Sequence, residues 1–205
     1  INSTVTSSGS MIVEGNATGQ VTYNRQMKTT TDPGYTNYDW HYFSSPVVSN
    51  TVDNSAKVTE VYGWDESTGT WYTTDLTSLS SGVGYNLDQS PSGDGLITFT
   101  GAVAGTVGPI YATSPYGDCD FTGVDYKSRV MAAGRDTLSH YGGGGWTLLG
   151  NPYTSALSAA SFIPQNEGSI DPNYLALYIY DGSVGPHGIY YFITADDTGW
   201  EIPSD

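Results

Sequence analysis

Strict alternation of apolar and more polar side chains is the strongest signal along this chain. In "YLALYIYDG" (Tyr174 to Gly182), Leu175, Leu177 and Ile179 alternate with Tyr174, Ala176, Tyr178 and Tyr180. A two-residue period sends neighbouring side chains to opposite faces of a strand, and it suits sheets with one face packed on a core. "ITFTGAVAGTV" (Ile97 to Val107) and "SSGVGYNLD" (Ser80 to Asp88) also read as strands. "DESTG", "SPSGDG" and the run Gly142 to Gly145 punctuate them as turns. Helical spacing occurs only in Thr154 to Pro164, through Ala156, Leu157, Ala160 and Ser161. The pattern predicts an all-β protein with at most one short helix.

Four landmarks then recur in one order. "SMIVEGNATGQV" (Ser10 to Val21) matches "ITFTGAVAGTV", each carrying Gly-x-x-x-Gly-x-Val. "WHYFSSPV" (Trp40 to Val47) matches "WTLLGNPY" (Trp146 to Tyr153), with a Pro six places after each Trp. "VYGWDESTGTWY" (Val61 to Tyr72) matches "LYIYDGSVGPHGIYYF" (Leu177 to Phe192), aligning the aromatic-Asp steps Trp64-Asp65 and Tyr180-Asp181. The expectation is two related antiparallel β-sandwich-like halves, residues 1–93 and 94–205, with an inserted loop region near 111–141. Trp40 and Trp146 read as core residues. Pro46 and Pro152 read as strand ends, because proline cannot donate to a ladder. Asn151 reads as the start of a tight turn held by its own side chain.

The first copy continues into the Gly-x-Gly-Tyr strand at Gly82 to Tyr85, whereas the second stops short of an equivalent. A sheet lacking that strand would carry unpaired backbone groups on its edge. Three sources could complete it: the segment Ile1 to Thr6, a neighbouring chain, or a continuation of the natural protein. The opening "INSTVTSSGS" has no initiator Met and no signal peptide, which reads as a processed product or an excised piece.

Composition narrows the partners. Six Lys and Arg against 21 Asp and Glu give a formal charge of −15 over 205 residues. Such a field repels phosphate backbones and anionic membranes, so nucleic acid is excluded as a partner. No apolar run approaches the ~18 residues of a membrane span. The single Cys119 makes no internal disulfide, yet the Tyr- and Thr-rich, Lys-poor make-up reads as extracellular.

Several strings together are similar to a known module. "GWTLLGNPY", the Trp-Asp-x-x-Thr-Gly-x-Trp step, "SGVGYNL", "ITFTGAVAGT" and the opening "SGSMIVEGNATGQVTYNR" resemble a repeated β-module of large secreted surface proteins of Bacteroidota. Those proteins often end in a type IX secretion sorting domain. The resemblance implies secretion and display at the cell surface.

Candidate chemistry is sparse. Trp64, Trp71, Tyr72 and Trp200 flank turn strings, and exposed aromatics there could stack on sugar rings. Asp65, Glu66 and Asn86 would serve as partners for the sugar hydroxyls. Asp118, Asp120 and Asp125 around Gly123 could offer hard oxygen ligands to calcium, although the spacing is not that of an EF-hand. "DTL" (Asp136 to Leu138) matches a bacterial O-glycosylation signal on Thr137, and Asn2 and Asn16 open N-glycosylation sequons. His41, His140 and His187 are scattered without metal spacing, Cys119 sits between acidic residues, and no nucleophile elbow occurs. The reading is a non-catalytic structural or adhesive module of a surface protein, whose partners are copies of itself or other domains of that protein. In the extreme it is a fibre subunit completed by strand exchange. The alternative is a carbohydrate-binding module that holds polysaccharide for a degrading enzyme.

Overall fold

The computed structural model describes residues 1–4, 9–13, 17–27, 39–55, 58–66, 70–89, 93–104, 146–170, 175–181 and 189–195. Within them the chain is all-β, with three antiparallel sheets and a single short helix. The first sheet has the order β1-β7-β3, from Gln20–Gln26, Leu96–Ala102 and Val48–Asn54. The second has the order β2-β6-β4-β5, from Asp39–Phe43, Tyr85–Gln89, Val58–Asp65 and Thr70–Thr73. The third is the hairpin of β8 (Leu177–Asp181) and β9 (Ile189–Ile193).

Sheets one and two face each other across the core, and the alternation in the sequence explains why. In β7, Ile97, Phe99 and Gly101 are buried while their neighbours are partly open. Val61 and Gly63 of β4 and Tyr85 and Leu87 of β6 turn inward to meet them. Met27, Val47 and Leu79 close the cluster, and Phe43 stacks on Phe99 with ring centroids 6.5 Å apart. Tyr85 stays inside because its hydroxyl accepts from the Ser80 N–H at 3.0 Å, which satisfies its polar tip.

β7 begins at Leu96, on the far side of the division expected at residue 93. It lies between β1 and β3, with Phe99 opposite Tyr23 on one side and Val52 on the other. Hydrogen bonding of the first sandwich therefore runs through that point of the chain. The terminal segment also has a different place from the one considered for it. Ile1–Ser3 runs alongside β1, with Asn2 bridged in parallel to Asn24 and the Ser3 N–H donating to the Asn24 carbonyl at 2.9 Å. The described part of Ile1 to Thr6 thus borders the first sheet and not the β8–β9 hairpin.

The third landmark of the repeat forms a hairpin in both places. In one hairpin Tyr62, Gly63, Trp64 and Asp65 face Thr73, Tyr72, Trp71 and Thr70. In the other Tyr178, Ile179, Tyr180 and Asp181 face Phe192, Tyr191, Tyr190 and Ile189. The aligned aromatic-Asp steps thus both lie in the first strand of a hairpin, with Trp64 opposite Trp71 and Tyr180 opposite Tyr190. The two Trp strings also converge, both on the turn that precedes β6. Ser45 bridges Ser81, Leu149 bridges Val83, and the Gly150 N–H donates to the Gly82 carbonyl at 3.1 Å. Gly82 takes φ 83° there, a left-handed conformation that favours glycine.

The helix, α1, spans Ala159–Asn166 and buries Ile163 completely. It starts later than the spacing suggested because the preceding residues are otherwise engaged. The Asn151 side chain accepts from the Tyr153 N–H at 3.0 Å and donates to the Ser155 carbonyl at 2.6 Å, the tight turn expected of it. Thr154 exchanges bonds with the Met11 backbone, its carbonyl accepting at 3.1 Å and its hydroxyl donating at 2.8 Å.

Candidate functional site

Because Phe43, Leu87 and Val61 face the core, the neighbouring Tyr42, Asn86 and Tyr62 stand side by side on the opposite face of sheet two. Trp64 and Trp71 continue that face, directly opposite one another at a centroid distance of 5.1 Å and tilted by 62°. The Trp64 indole N–H donates to Glu66 Oε2 at 2.7 Å and to the Trp146 carbonyl at 2.9 Å. Trp64 is half-buried, and Glu66 is only 4% exposed. Its edge-on, doubly bonded indole ties the first hairpin to the second Trp string.

The β8–β9 hairpin meets the same face through tyrosines. The Tyr42 ring lies 4.8 Å from Tyr180 and 6.4 Å from Tyr190, and its hydroxyl shares a 2.8 Å hydrogen bond with that of Tyr190. Tyr180 and Tyr190 are themselves 5.2 Å apart. Trp146 packs edge-to-face on Tyr178 at 4.7 Å. Trp146 was expected in the core, yet it is 45% exposed. Its string contributes one isolated bridge to Val83 and no strand, so the indole rests on the hairpin instead. Trp40 is half-buried against Tyr62 at 5.6 Å.

Burial, the bond to Tyr190 and the neighbouring phenols hold the Tyr42 hydroxyl well above the ordinary phenol value of 10.0. Tyr180 is raised by burial and by Tyr190 and Asp181. Above pH 10 an unfolded phenol ionises while the folded Tyr42 keeps its proton. The unfolded state then binds fewer protons, and stability falls as pH rises. Tyr42→Phe is expected to flatten that fall by up to one proton, as read from urea midpoints between pH 8 and 11.5.

The predicted sugar-binding residues separate into two faces. Trp64, Trp71 and Asn86 share the aromatic face. Tyr72, next to Trp71, points the other way, where its ring covers the position a Gly63 side chain would take. Burial, then the neighbouring Tyr85 and Asp65, raises the Tyr72 hydroxyl above the ordinary phenol value. Trp71 and Tyr72 are 42% and 44% exposed on edge strand β5, so one aromatic faces water on each side of that edge. The Asn86 Oδ1 is buried without a hydrogen-bond partner. Trp200, the calcium candidates Asp118, Asp120 and Asp125, Thr137, Asn16, Cys119, His140 and His187 lie outside the described residues. Among the described residues no three His, Cys, Asp or Glu side chains group as a metal site would require.

Tyr42 and Tyr190, which sequence reasoning did not single out, turned out central to the interface. The available signal was that Tyr42 alternates with Phe43, so one of two adjacent aromatics had to leave the core. A cavity of about 340 Å³ also opens beside this region, lined by Tyr23, Arg25, Tyr42, Ser44, Asn151 and Tyr153 among others.

The chain belongs to a family described as a domain of unknown function (DUF8693), whose model matches residues 2–192. No curated protein and no solved structure matches it.

Proposed function

We propose that this chain is a non-catalytic structural and adhesive module of a secreted cell-surface protein, built to be joined in series. One observation carries this reading. The second hairpin, whose Tyr180-Asp181 step matches Trp64-Asp65 of the first, docks on the first sandwich through Tyr42, Tyr180 and Tyr190. Aromatics that would otherwise form a ligand platform are thereby spent on holding successive units together. Trp64, with its indole N–H bonded twice inside the chain, belongs to the same interface. The formal charge of −15 suits a surface that must stay dispersed in water. No helix among the described residues is long and apolar enough to cross a membrane.

A carbohydrate-binding module is the second reading, favoured by the exposure of Trp71 and Tyr72 on β5. Protease shaving of intact producing cells, combined with affinity electrophoresis through polysaccharide-containing gels, separates the two. The structural reading expects release from the cell surface and unretarded migration. Retardation that disappears in Trp71→Ala would establish the carbohydrate reading in its place. A protein protected inside intact cells would sink both.

A further inference from the structure

Three tyrosine rings from distant parts of the chain meet where the second hairpin joins the sandwich. Tyr42 comes from β2, Tyr180 from β8 and Tyr190 from β9. Ring centroids are 4.8 Å apart for Tyr42 and Tyr180, 6.4 Å for Tyr42 and Tyr190, and 5.2 Å for Tyr180 and Tyr190. The β8–β9 hairpin forms a sheet of its own, and these side chains carry its contact with sheet two. The single Cys119 leaves the chain no internal disulfide to fix such a join.

Of the three pairs, Tyr42 and Tyr190 also bring their hydroxyls together, at 2.8 Å. One-electron oxidation of a phenol spreads the unpaired electron onto the ring carbons beside the oxygen, and two such radicals join through those carbons. In the resulting dityrosine both hydroxyls flank the new bond, hydrogen-bonded to each other, with the rings twisted out of one plane. Tyr42 and Tyr190 already have the hydroxyl contact and an interplanar angle of 58°. The rings must still draw closer, and an exposed side chain such as Tyr190, at 47%, turns within nanoseconds.

We propose that Tyr42 and Tyr190 are a site of oxidative coupling, at which a peroxidase using hydrogen peroxide joins them as a dityrosine and fastens the hairpin covalently to the sandwich. Tyr190 gives one electron to the oxidant and its hydroxyl proton to water. Tyr42 gives the other electron through the exposed Trp71, whose ring lies 6.3 Å from its own, and its proton also goes to water. An indole radical oxidises a phenol, so the hole moves from Trp71 to Tyr42. The two tyrosyl radicals form one carbon–carbon bond. The hydrogens on the joined carbons then move to the oxygens, and both rings regain aromaticity. In all, the chain loses two electrons and two protons, and one hydrogen peroxide becomes two waters. Holding the phenols in contact replaces a diffusive encounter by an intramolecular one, which favours this pair among the 17 tyrosines. The two residues are 148 positions apart, so the bond closes a long loop, as a disulfide between them would.

The test treats the full chain, at low concentration, with a peroxidase and limiting hydrogen peroxide. The blue fluorescence of dityrosine should appear, with an intact mass lower by two hydrogen atoms. Proteolysis and tandem mass spectrometry should then find the peptides of Tyr42 and Tyr190 joined. Tyr42→Phe and Tyr190→Phe each keep the ring and should abolish that joined product, while Tyr180→Phe retains it. Trp71→Phe should slow the coupling, and an unchanged rate overturns the route through that indole. In urea, where the unaltered chain no longer holds the pair together, its share of the coupled product should fall at least about tenfold. The coupled chain should unfold at a higher urea midpoint than the uncoupled one. Absence of coupling, coupling chiefly between chains or between Tyr180 and Tyr190, or the same yield in urea overturns the site. An unchanged midpoint overturns its role as a fastening.

Discussion

Replacing Phe99 by alanine is expected to lower the free energy of unfolding by about 3–5 kcal/mol, the range for truncating a buried aromatic. Phe99 is 1% exposed and sits in the central strand of sheet one, between Tyr23 of β1 and Val52 of β3. Its ring stacks on Phe43 of sheet two, so the void left by alanine would open between the two layers. A strand hydrogen-bonded on both sides cannot shift inward to fill that void without breaking one of its ladders. The residue is also one of those beyond position 93, so the loss tests whether β7 belongs to the first sandwich. Urea unfolding followed by tryptophan fluorescence and by far-ultraviolet circular dichroism should report the same lowered midpoint. A loss below about 1 kcal/mol, the size of an ordinary surface effect, would mean that the two sheets do not pack through Phe99.

Much of this architecture could be read from the order of residues, because the two-residue period states which face a side chain takes. Ile97, Phe99 and Gly101 are buried in β7 as their alternation implies, and the aligned aromatic-Asp steps both lie in hairpins. The period does not name a strand's partner. Nothing near Leu96 in the sequence says that β7 will lie between β1 and β3, more than forty residues away, and similarity alone put the division before it. Trp40 and Trp146 were both expected in the core, but Trp40 shares the outer face with Tyr42, half-buried against Tyr62, and burial depends on what packs above a residue, which leaves Trp146 45% exposed. Its string finds one bridge to Val83 where Trp40 has a whole strand, β6, beside it.

The candidate site divides along the same line. Trp64 and Trp71 were recoverable, since a short turn between two aromatic strand ends puts them opposite one another. Tyr72 could not join them, because consecutive strand residues point to opposite faces. Tyr42 became the centre of the aromatic interface through residues 180 and 190, a long-range contact without any local sign.

Gly150→Ala is expected to cost about 1–3 kcal/mol, the usual range for forcing extra volume into a packed site. A Cβ at this position would overlap the Ser44 side chain and come within 2.9 Å of the Val83 carbonyl. Both obstacles are poorly placed to yield. The Ser44 hydroxyl oxygen is already buried, and Val83 is fixed by its bridge to Leu149. The strain would therefore fall on the junction of the two Trp strings, where the Gly150 N–H meets the Gly82 carbonyl and the Gly84 N–H meets the Leu148 carbonyl at 3.0 Å. Losing that junction would also withdraw the Trp146 carbonyl from the Trp64 indole. Hydrogen–deuterium exchange should then show faster exchange at Gly84 and Gly150 and at the hairpin tyrosines, with β7 still protected until global unfolding. Exchange that rises equally in β7 would mean that the second string is part of one indivisible core, and unchanged exchange at Gly150 would mean that the close approach to Ser44 is absent.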